Sequence, residues 1–194
     1  MTAAVASSHR PALTTVLAGA LAALGCGLLS ARPAVVASAG QPALALAIVF
    51  AALLTVGALV PLPALASPIV RSPRVTAITV AVGVGAFGAA RVLVGGRAPA
   101  RLTLPVVAAN TLAAVAEEAW FRRLCFGLLA PVGSVFAVVG SATLFAFVHV
   151  SIYGFWILPL DLAAGVLLGW QRAVSGSWRA AAVTHAIGNI VVLL

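Results

Sequence analysis

The distribution of charge along this chain constrains its fold more than any other feature. Its only three acidic residues lie beyond residue 100, and the first hundred residues contain none. Of its 194 residues 63% are hydrophobic and 7% are charged, whereas about a quarter of the residues in a typical soluble domain are charged. Apolar runs of about 17–25 residues, long enough to cross a bilayer, recur along the whole length. The sequence therefore predicts a polytopic integral membrane protein without a water-soluble domain.

The apolar runs predict an all-α fold, a transmembrane bundle of about seven helices. The predicted spans are residues 12–30, 43–63, 75–95, 103–129, 132–150, 155–172 and 178–194. Pro, Gly, Ser and Arg occupy the breaks between them, as is typical of turns. Ala37-Ser38-Ala39 follows the first span and resembles a signal-peptide cleavage site, but the long apolar core favours retention of this span as the first helix. Gly165 with Gly169, and more loosely Gly85 with Ala89, predict contacts between packed helices.

The basic residues of this chain indicate membrane topology. The net charge of +8 comes from eleven arginines and no lysine, and these arginines are scattered singly between apolar spans. Nucleic-acid binding is therefore not expected, since it requires basic residues clustered on one face. Arg32 is counted among the topology residues, and Arg123 is expected to face solvent or lipid headgroups. The number of arginines on the two sides is too similar to decide the orientation.

The polar residues of the last four spans predict one shared site. These spans contain all three acids, Glu117, Glu118 and Asp161, together with His149 and His185. An ionisable residue at mid-membrane costs on the order of 3 kcal/mol, and such residues mostly face a bundle interior or a cavity. Several of them in one half of the chain are therefore expected to lie together. Asp161 is interpreted as structural or as a residue lining that cavity, and Cys26 and Cys125 as buried thiols.

Helical spacing predicts different surroundings for the two adjacent glutamates. Glu118 and Arg122 are four residues apart and are expected to form a pair along one helix face. Glu117 lies about 100° around the same helix, so it is expected to stay unpaired and available. The same four-residue spacing relates Phe145 to His149 and His185 to Asn189 on two further helices.

The depth of these residues is compatible with one site. At a rise of 1.5 Å per residue, Glu117 lies roughly 20 Å and His149 roughly 27 Å from the turn near Ala130-Pro131 that joins their helices. His185 and Asn189 lie roughly 10 Å and 17 Å from the same side of the membrane. Helix tilts could close the remaining differences, so the spacing allows convergence of the three helices.

Three motifs in order along residues 103–194 resemble those of a known family. They are Glu117-Glu118-Ala-Trp-Phe-Arg122, Phe145-Ala-Phe-Val-His149 and His185-Ala-Ile-Gly-Asn189. Together they resemble the EExxxR, FxxxH and HxxxN motifs of the CPBP intramembrane endopeptidases, also called Abi or CAAX proteases, which include the type II CAAX prenyl endopeptidases. On this resemblance residues 103–194 form the catalytic core, and residues 1–102 contribute N-terminal helices to the same membrane domain.

The resemblance implies a role for each motif residue in peptide hydrolysis. Glu117 would act as the base that activates water, and His149 would orient that water or carry its proton. His185 and Asn189 would form the oxyanion site. Glu118 and Arg122 would hold the helix as a buried pair, and Phe145 would pack beneath His149.

The metal dependence stays open in the sequence. Glu117, His149 and His185 could supply three ligands to a divalent ion such as zinc, with an open fourth position. A reaction without a cofactor is favoured, because Glu118 alone would remain as a base if Glu117 became a ligand. The chain has no HExxH, GxSG or GxGD motif, so zinc site-2, rhomboid and presenilin types of protease are not supported.

Two further classes of function remain as alternatives. A small proton-coupled transporter would use intramembrane Glu and His as a relay, and an inactive immunity or scaffold member of the family would need neither residue. The expected partners are a peptide or membrane-protein substrate and the lipid bilayer. An alanine-rich chain with arginine and no lysine is expected in a bacterial cytoplasmic membrane.

Overall fold

The computed structural model describes residues 3–62, 72–94 and 102–193, and these contain helices and no strand. The helices are α1 (Ala3–Ser30), α2 (Arg32–Ser38), α3 (Pro42–Leu59), α4 (Pro73–Val94), α5 (Leu104–Glu118), a π-helix (Ala119–Cys125), α6 (Phe126–Leu129), α7 (Ser134–Tyr153), a short 3₁₀-helix (Phe155–Ile157), α8 (Leu158–Ser175) and α9 (Trp178–Leu193). The predicted all-α class is confirmed.

Each predicted span corresponds to helical structure, although the ends at residues 63, 95 and 194 lie outside the described residues. Five of the described helical segments are long and apolar enough to cross a membrane. They are Leu13–Ser30, Pro42–Leu59, Pro73–Leu93, Ser134–Tyr153 and Phe155–Ser175. The predicted span 103–129 differs, because it carries charged residues and its α-helical hydrogen bonding is interrupted by the π-helix. The last span, α9, has 16 residues.

The turns of the C-terminal half lie where the sequence predicts breaks. α6 ends before the turn that contains Pro131, and Gly133 precedes α7 with a φ of 146°. Gly176 ends α8 with a φ of 67°, a left-handed conformation that glycine adopts at low cost. Both predicted turns are therefore confirmed.

Small residues bring α7 and α8 into close contact. A Cβ on Gly165 would lie 2.9 Å from the Cα of Ala142, and one on Gly169 would lie 3.1 Å from a methyl carbon of Val138. The predicted GxxxG contact is confirmed. The looser pattern at Gly85 was wrong, since a Cβ there would meet nothing within 4 Å.

The α4 helix instead approaches α8 and α9 through Gly83, where an added Cβ would clash with the side chains of Gln171 and Thr184. Residues two apart on a helix point to nearly opposite sides, so Gly83 and Gly85 cannot both face the bundle. Gln171 Nε2 also donates to the Thr79 carbonyl at 2.5 Å and to Thr184 Oγ1 at 3.0 Å. These contacts fix α4 against the C-terminal helices.

Arg123 joins the two halves of the molecule, so the prediction that it faces solvent or headgroups was incomplete. Its Nη1 donates to the carbonyls of Gly57 at 2.7 Å and Val60 at 3.1 Å, at the end of α3. The last carbonyls of a helix have no partner within the helix, and a cation there also interacts favourably with the helix dipole. A charged donor from the π-helix therefore stabilises the end of a helix in the N-terminal half.

A candidate active site at the end of α5

Two adjacent carboxylates are buried where α5 passes into the π-helix. Glu117 and Glu118 are the last two residues of α5, and their exposed fractions are 4% and 0%. π-helical turns are rare and are found frequently at functional sites. His149 from α7, Asp161 from α8 and His185 from α9 surround the two carboxylates. The expectation that the intramembrane acids and histidines lie together is confirmed.

Glu118 is held by partners on both of its oxygens. Arg122 Nε lies 3.3 Å from Oε2, in the predicted pair four residues apart. His185 Nδ1 lies 2.9 Å from Oε1. When His185 Nδ1 carries the proton donated to Glu118, its other nitrogen, Nε2, is an acceptor. That acceptor lies 4.0 Å from Glu117 Oε2.

His149 is likewise held through Nδ1 and directs Nε2 to Glu117. Its Nδ1 lies 2.8 Å from the Phe145 carbonyl, which can only accept, so Nδ1 is the donor. Its Nε2 lies 3.7 Å from Glu117 Oε1. This distance and the 4.0 Å gap to His185 exceed direct hydrogen-bond length and fit a water molecule between the groups.

Glu117 is not the unpaired acid that helical spacing predicts. Arg32, the first residue of α2, donates from Nη1 to Glu117 Oε1 at 2.9 Å. Arg32 was interpreted as a topology residue, and this interpretation was incomplete. A charge buried in a bilayer needs a partner, and helical spacing gives Glu117 no cation on its own helix, which was the signal that could have pointed to an arginine on another helix.

Aromatic and acidic neighbours position His149. The Phe145 ring meets the His149 ring at a centroid distance of 4.7 Å and the His185 ring at 5.6 Å, both edge-on. Asp161 Oδ2 lies 3.3 Å from His149 Nδ1. Phe145 therefore packs against His149 as expected and also against His185, and Asp161 lies next to His149.

Residues 99–191 match a protein-family model described as Rce1-like, type II CAAX prenyl endopeptidase Rce1-like. The matched region contains every motif residue of the site. This part of the chain belongs to the CAAX protease, or CPBP, family. Searches of curated proteins and of solved structures found no match.

The family match of residues 99–191 supports an endopeptidase function within the membrane. The apolar helices agree with an integral membrane protein, and the family implies peptide or membrane-protein substrates. Arg32 lies outside the matched region, so the ion pair on Glu117 comes from a part of the chain that the family match does not cover.

The oxyanion pair that the resemblance implies consists of His185 and Asn189, both on α9. His185 uses Nδ1 on Glu118, and Asn189, one turn further along α9, is half-buried. Within the described residues the Asn189 side chain makes no hydrogen bond. The role of these two residues therefore stays a prediction.

The surroundings of Glu117 bear on the metal dependence that the sequence leaves open. Within the described ranges, no group of three or more His, Cys, Asp or Glu side chains is arranged to hold a metal ion. The Arg32 guanidinium lies directly on Glu117 Oε1, and its positive charge would repel a metal bound to that oxygen. Glu117, His149 and His185 share one space, and a reaction without a metal stays a prediction.

Proposed function

We propose that this protein is an intramembrane endopeptidase in which Glu117 activates a water molecule for attack on a peptide bond. The observation that carries the proposal is that a buried carboxylate faces the Nε2 atoms of two histidines, at 3.7 Å for His149 and 4.0 Å for His185. A water molecule between them can donate one hydrogen to Glu117 and the other to a histidine. Its lone pairs are then free to face a substrate carbonyl.

In the proposed first step the water oxygen forms a bond to the carbonyl carbon while its proton passes to Glu117. The π electrons of the carbonyl move onto its oxygen, and the intermediate is tetrahedral and negatively charged. Collapse of this intermediate breaks the carbon–nitrogen bond, and the proton held by Glu117 passes to the leaving amine, directly or through His149. General acid–base catalysis of this kind contributes typically about 10²–10⁴-fold to the rate.

Glu118 and Arg122 have a supporting role in this proposal. Arg122 has no exposed surface, and besides Glu118 it contacts the Ser141 carbonyl at 3.4 Å from Nη1. Glu118 in turn holds His185 by Nδ1, which leaves Nε2 of that histidine directed to the water. The pair therefore fixes the π-helix and the tautomer of His185, as buried partners of catalytic histidines do.

We propose further that the reaction needs no metal and that the enzyme resides in a bacterial cytoplasmic membrane. The contact of Arg32 with Glu117 supports the first point, and the alanine-rich composition with arginine as the only basic residue besides histidine supports the second. The substrate is a peptide or a membrane protein whose cleavage site reaches the level of Glu117. A prenylated CAAX substrate is the form that the family description suggests.

The proposal is tested by purifying the protein in detergent and offering it a broad peptide library together with prenylated CAAX peptides. Wild type is expected to cleave at defined bonds, Glu117→Gln to lose at least about 10²-fold in kcat, and wild type treated with chelator to retain its activity. The matched control is Arg179→Gln, which also removes one charge but lies at an exposed position beside Trp178. It is expected to behave as wild type.

Each contrary outcome has a distinct meaning. Cleavage by Glu117→Gln at the wild-type rate would remove the catalytic role of Glu117. Loss of cleavage with chelator alone would show that a metal is required. Proton flux in vesicles that disappears in Glu117→Gln, with no cleavage by wild type, would identify a transporter instead.

A further inference from the structure

The end of the π-helix passes over one backbone carbonyl. Phe126 N–H donates to the carbonyls of Phe121 and Arg123, and the Arg122 carbonyl between them is skipped. A change from the i−5 hydrogen bonds of a π-helix to the i−4 hydrogen bonds of an α-helix leaves out one carbonyl in this way. A carbonyl buried in a membrane protein needs a donor, so the donor for Arg122 has to come from another element.

Arg172, in the last turn of α8, supplies that donor. Its Nε donates to the Arg122 carbonyl at 3.1 Å. Its guanidinium carbon also lies 5.1 Å from the centre of the Phe126 ring, in a cation–π contact. One side chain therefore contacts both the residue whose carbonyl is skipped and the residue at which the α-helix resumes.

The end of α8 is itself held in place, so Arg172 can act as an anchor. The neighbouring Gln171 has no exposed surface and donates to the Thr79 carbonyl on α4 and to Thr184 Oγ1 on α9. Gly176 ends the helix, and its N–H donates to the Arg172 carbonyl at 3.1 Å. Contacts with two further helices therefore fix the backbone from which the Arg172 side chain extends.

The π-helix positions the groups that support the candidate site. Arg122 lies in the middle of this segment, and its Nε lies 3.3 Å from Glu118 Oε2. Glu118 Oε1 in turn lies 2.9 Å from His185 Nδ1. An α-helix and a π-helix have different numbers of residues per turn, so the direction of the Arg122 side chain depends on the backbone register. Loss of the π register would move Arg122 away from Glu118 and loosen the contact that orients His185.

We propose that Arg172 is a positioning residue, whose hydrogen bond to the Arg122 carbonyl stabilises the π-helix. Through this segment it holds Glu118 against His185 and so directs Nε2 of that histidine to the water. This inference rests on the proposed endopeptidase function. It gives a part in the reaction to a residue that none of the three motifs contains, and it assigns Arg172 no contact with the substrate.

The test measures kcat and KM in detergent for wild type, Arg172→Met and Arg172→Gln. Methionine has no donor, and a displacement of about 1 Å near a reaction can cost about 10²-fold in rate, so kcat should fall by about 10–10²-fold. Glutamine places an amide nitrogen the same number of bonds from the backbone as arginine Nε, so Arg172→Gln should recover most of the lost rate. KM should change little in either variant, since Arg172 is assigned no contact with the substrate.

A matched control and a backbone measurement accompany the kinetics. Arg179→Met removes an exposed arginine at the start of α9 and is expected to keep the wild-type kcat. Hydrogen–deuterium exchange of the backbone over residues 119–126 should be faster in Arg172→Met and unchanged in Arg179→Met, because the π-helix then opens more readily. The midpoint of thermal unfolding reports whether each variant is folded. Arg172→Leu, which also has no donor, replaces Arg172→Met if that variant does not fold.

A second background tests the route from Arg172 to the site. His185→Ala lacks the group that Glu118 is proposed to orient, but it keeps the pair of Glu118 with Arg122. Residues that act as a unit in catalysis have non-additive effects. Arg172→Met should therefore lower the residual single-turnover rate of His185→Ala by a smaller factor than it lowers the rate of wild type. A general defect of the fold would cost the same factor in both backgrounds.

Any of four results would overturn the inference. They are a wild-type kcat in Arg172→Met, an equal loss in Arg172→Met and Arg172→Gln, unchanged exchange over residues 119–126 in Arg172→Met, and an equal factor in the two backgrounds. Loss of cleavage in Glu117→Gln together with a wild-type kcat in Arg172→Met would leave the proposed function standing and refute this inference alone. Full activity in Glu117→Gln would instead refute the proposed function.

Discussion

The two halves of this molecule contribute different chemistry to one site. Residues 102–193 carry all the acids and both histidines of the cluster, whereas residues 3–94 contain no acid. The N-terminal half nevertheless contributes the arginine that pairs with Glu117 and the carbonyls that accept from Arg123. The difference teaches that the motif-bearing half holds the reactive groups and that the other half supplies a counter-charge and an anchor.

The helices α3 and α4 are less packed within the bundle than α7. Of the residues in the apolar stretches of α3 and α4, 17% and 11% are buried, against 39% in α7. Most side chains of α3 and α4 therefore face outward, where lipid would contact them. Substitutions in the N-terminal half should cost little except at the few positions that contact the C-terminal helices.

The largest expected difference in stability lies between a buried and an exposed arginine. Arg122→Met would leave Glu118 buried without its cation, and breaking a buried pair in this way costs about 3–5 kcal/mol. Arg74→Met, at an exposed position at the start of α4, should change the free energy of unfolding by less than about 0.5 kcal/mol. Denaturant unfolding in mixed micelles measures both values, and equal losses would contradict the distinction.

The next largest effect compares two glycines at helix surfaces. Gly165→Ala would force α7 and α8 apart at Ala142, and overpacking of this kind costs about 1–3 kcal/mol. Gly85→Ala meets open space and should be neutral or stabilise α4 by up to about 1 kcal/mol. The midpoint of thermal unfolding, measured for both variants, tests this difference. A lower midpoint for Gly85→Ala would mean that α4 has packing partners at this position.

A smaller effect, on activity, is expected from Asp161. Its carboxylate lies 3.3 Å from His149 Nδ1 but that nitrogen already donates to the Phe145 carbonyl. Asp161→Asn removes a negative charge beside His149, so kcat should fall by about tenfold, less than a catalytic acid–base group contributes. Steady-state kinetics checks this value. An unchanged kcat would show that the charge of Asp161 does not contribute to catalysis.

The sequence was sufficient to predict the features of the fold that follow the helical period. Apolar runs indicated the helices, and the four-residue spacing indicated the pair of Glu118 with Arg122. Gly165 and Gly169 were recognisable because close helix contacts in membranes favour small residues at this spacing. These features depend on neighbours within one helix or on a local pattern.

The contacts between distant segments could not be read in the same way. Arg32 and Glu117 are 85 residues apart, and no periodicity within either helix relates them. Arg123 looked like a solvated charge because its acceptors are backbone carbonyls, which every residue carries. The π-helix was missed for a similar reason, since a change from one backbone hydrogen-bond pattern to another has no side-chain signature in Ala119–Cys125.

The most direct test of the link between the halves is a double-mutant cycle on Arg32 and Glu117, measured as the free energy of unfolding in micelles. The variants are Arg32→Met, Glu117→Gln and the two combined. Residues in one ion pair couple by about 0.5–3 kcal/mol, so the double variant should be less destabilised than the sum of the single ones by an amount in this range. Losses that add within about 0.3–0.5 kcal/mol would mean that the two residues do not interact. That result would contradict the account of one site built from both halves.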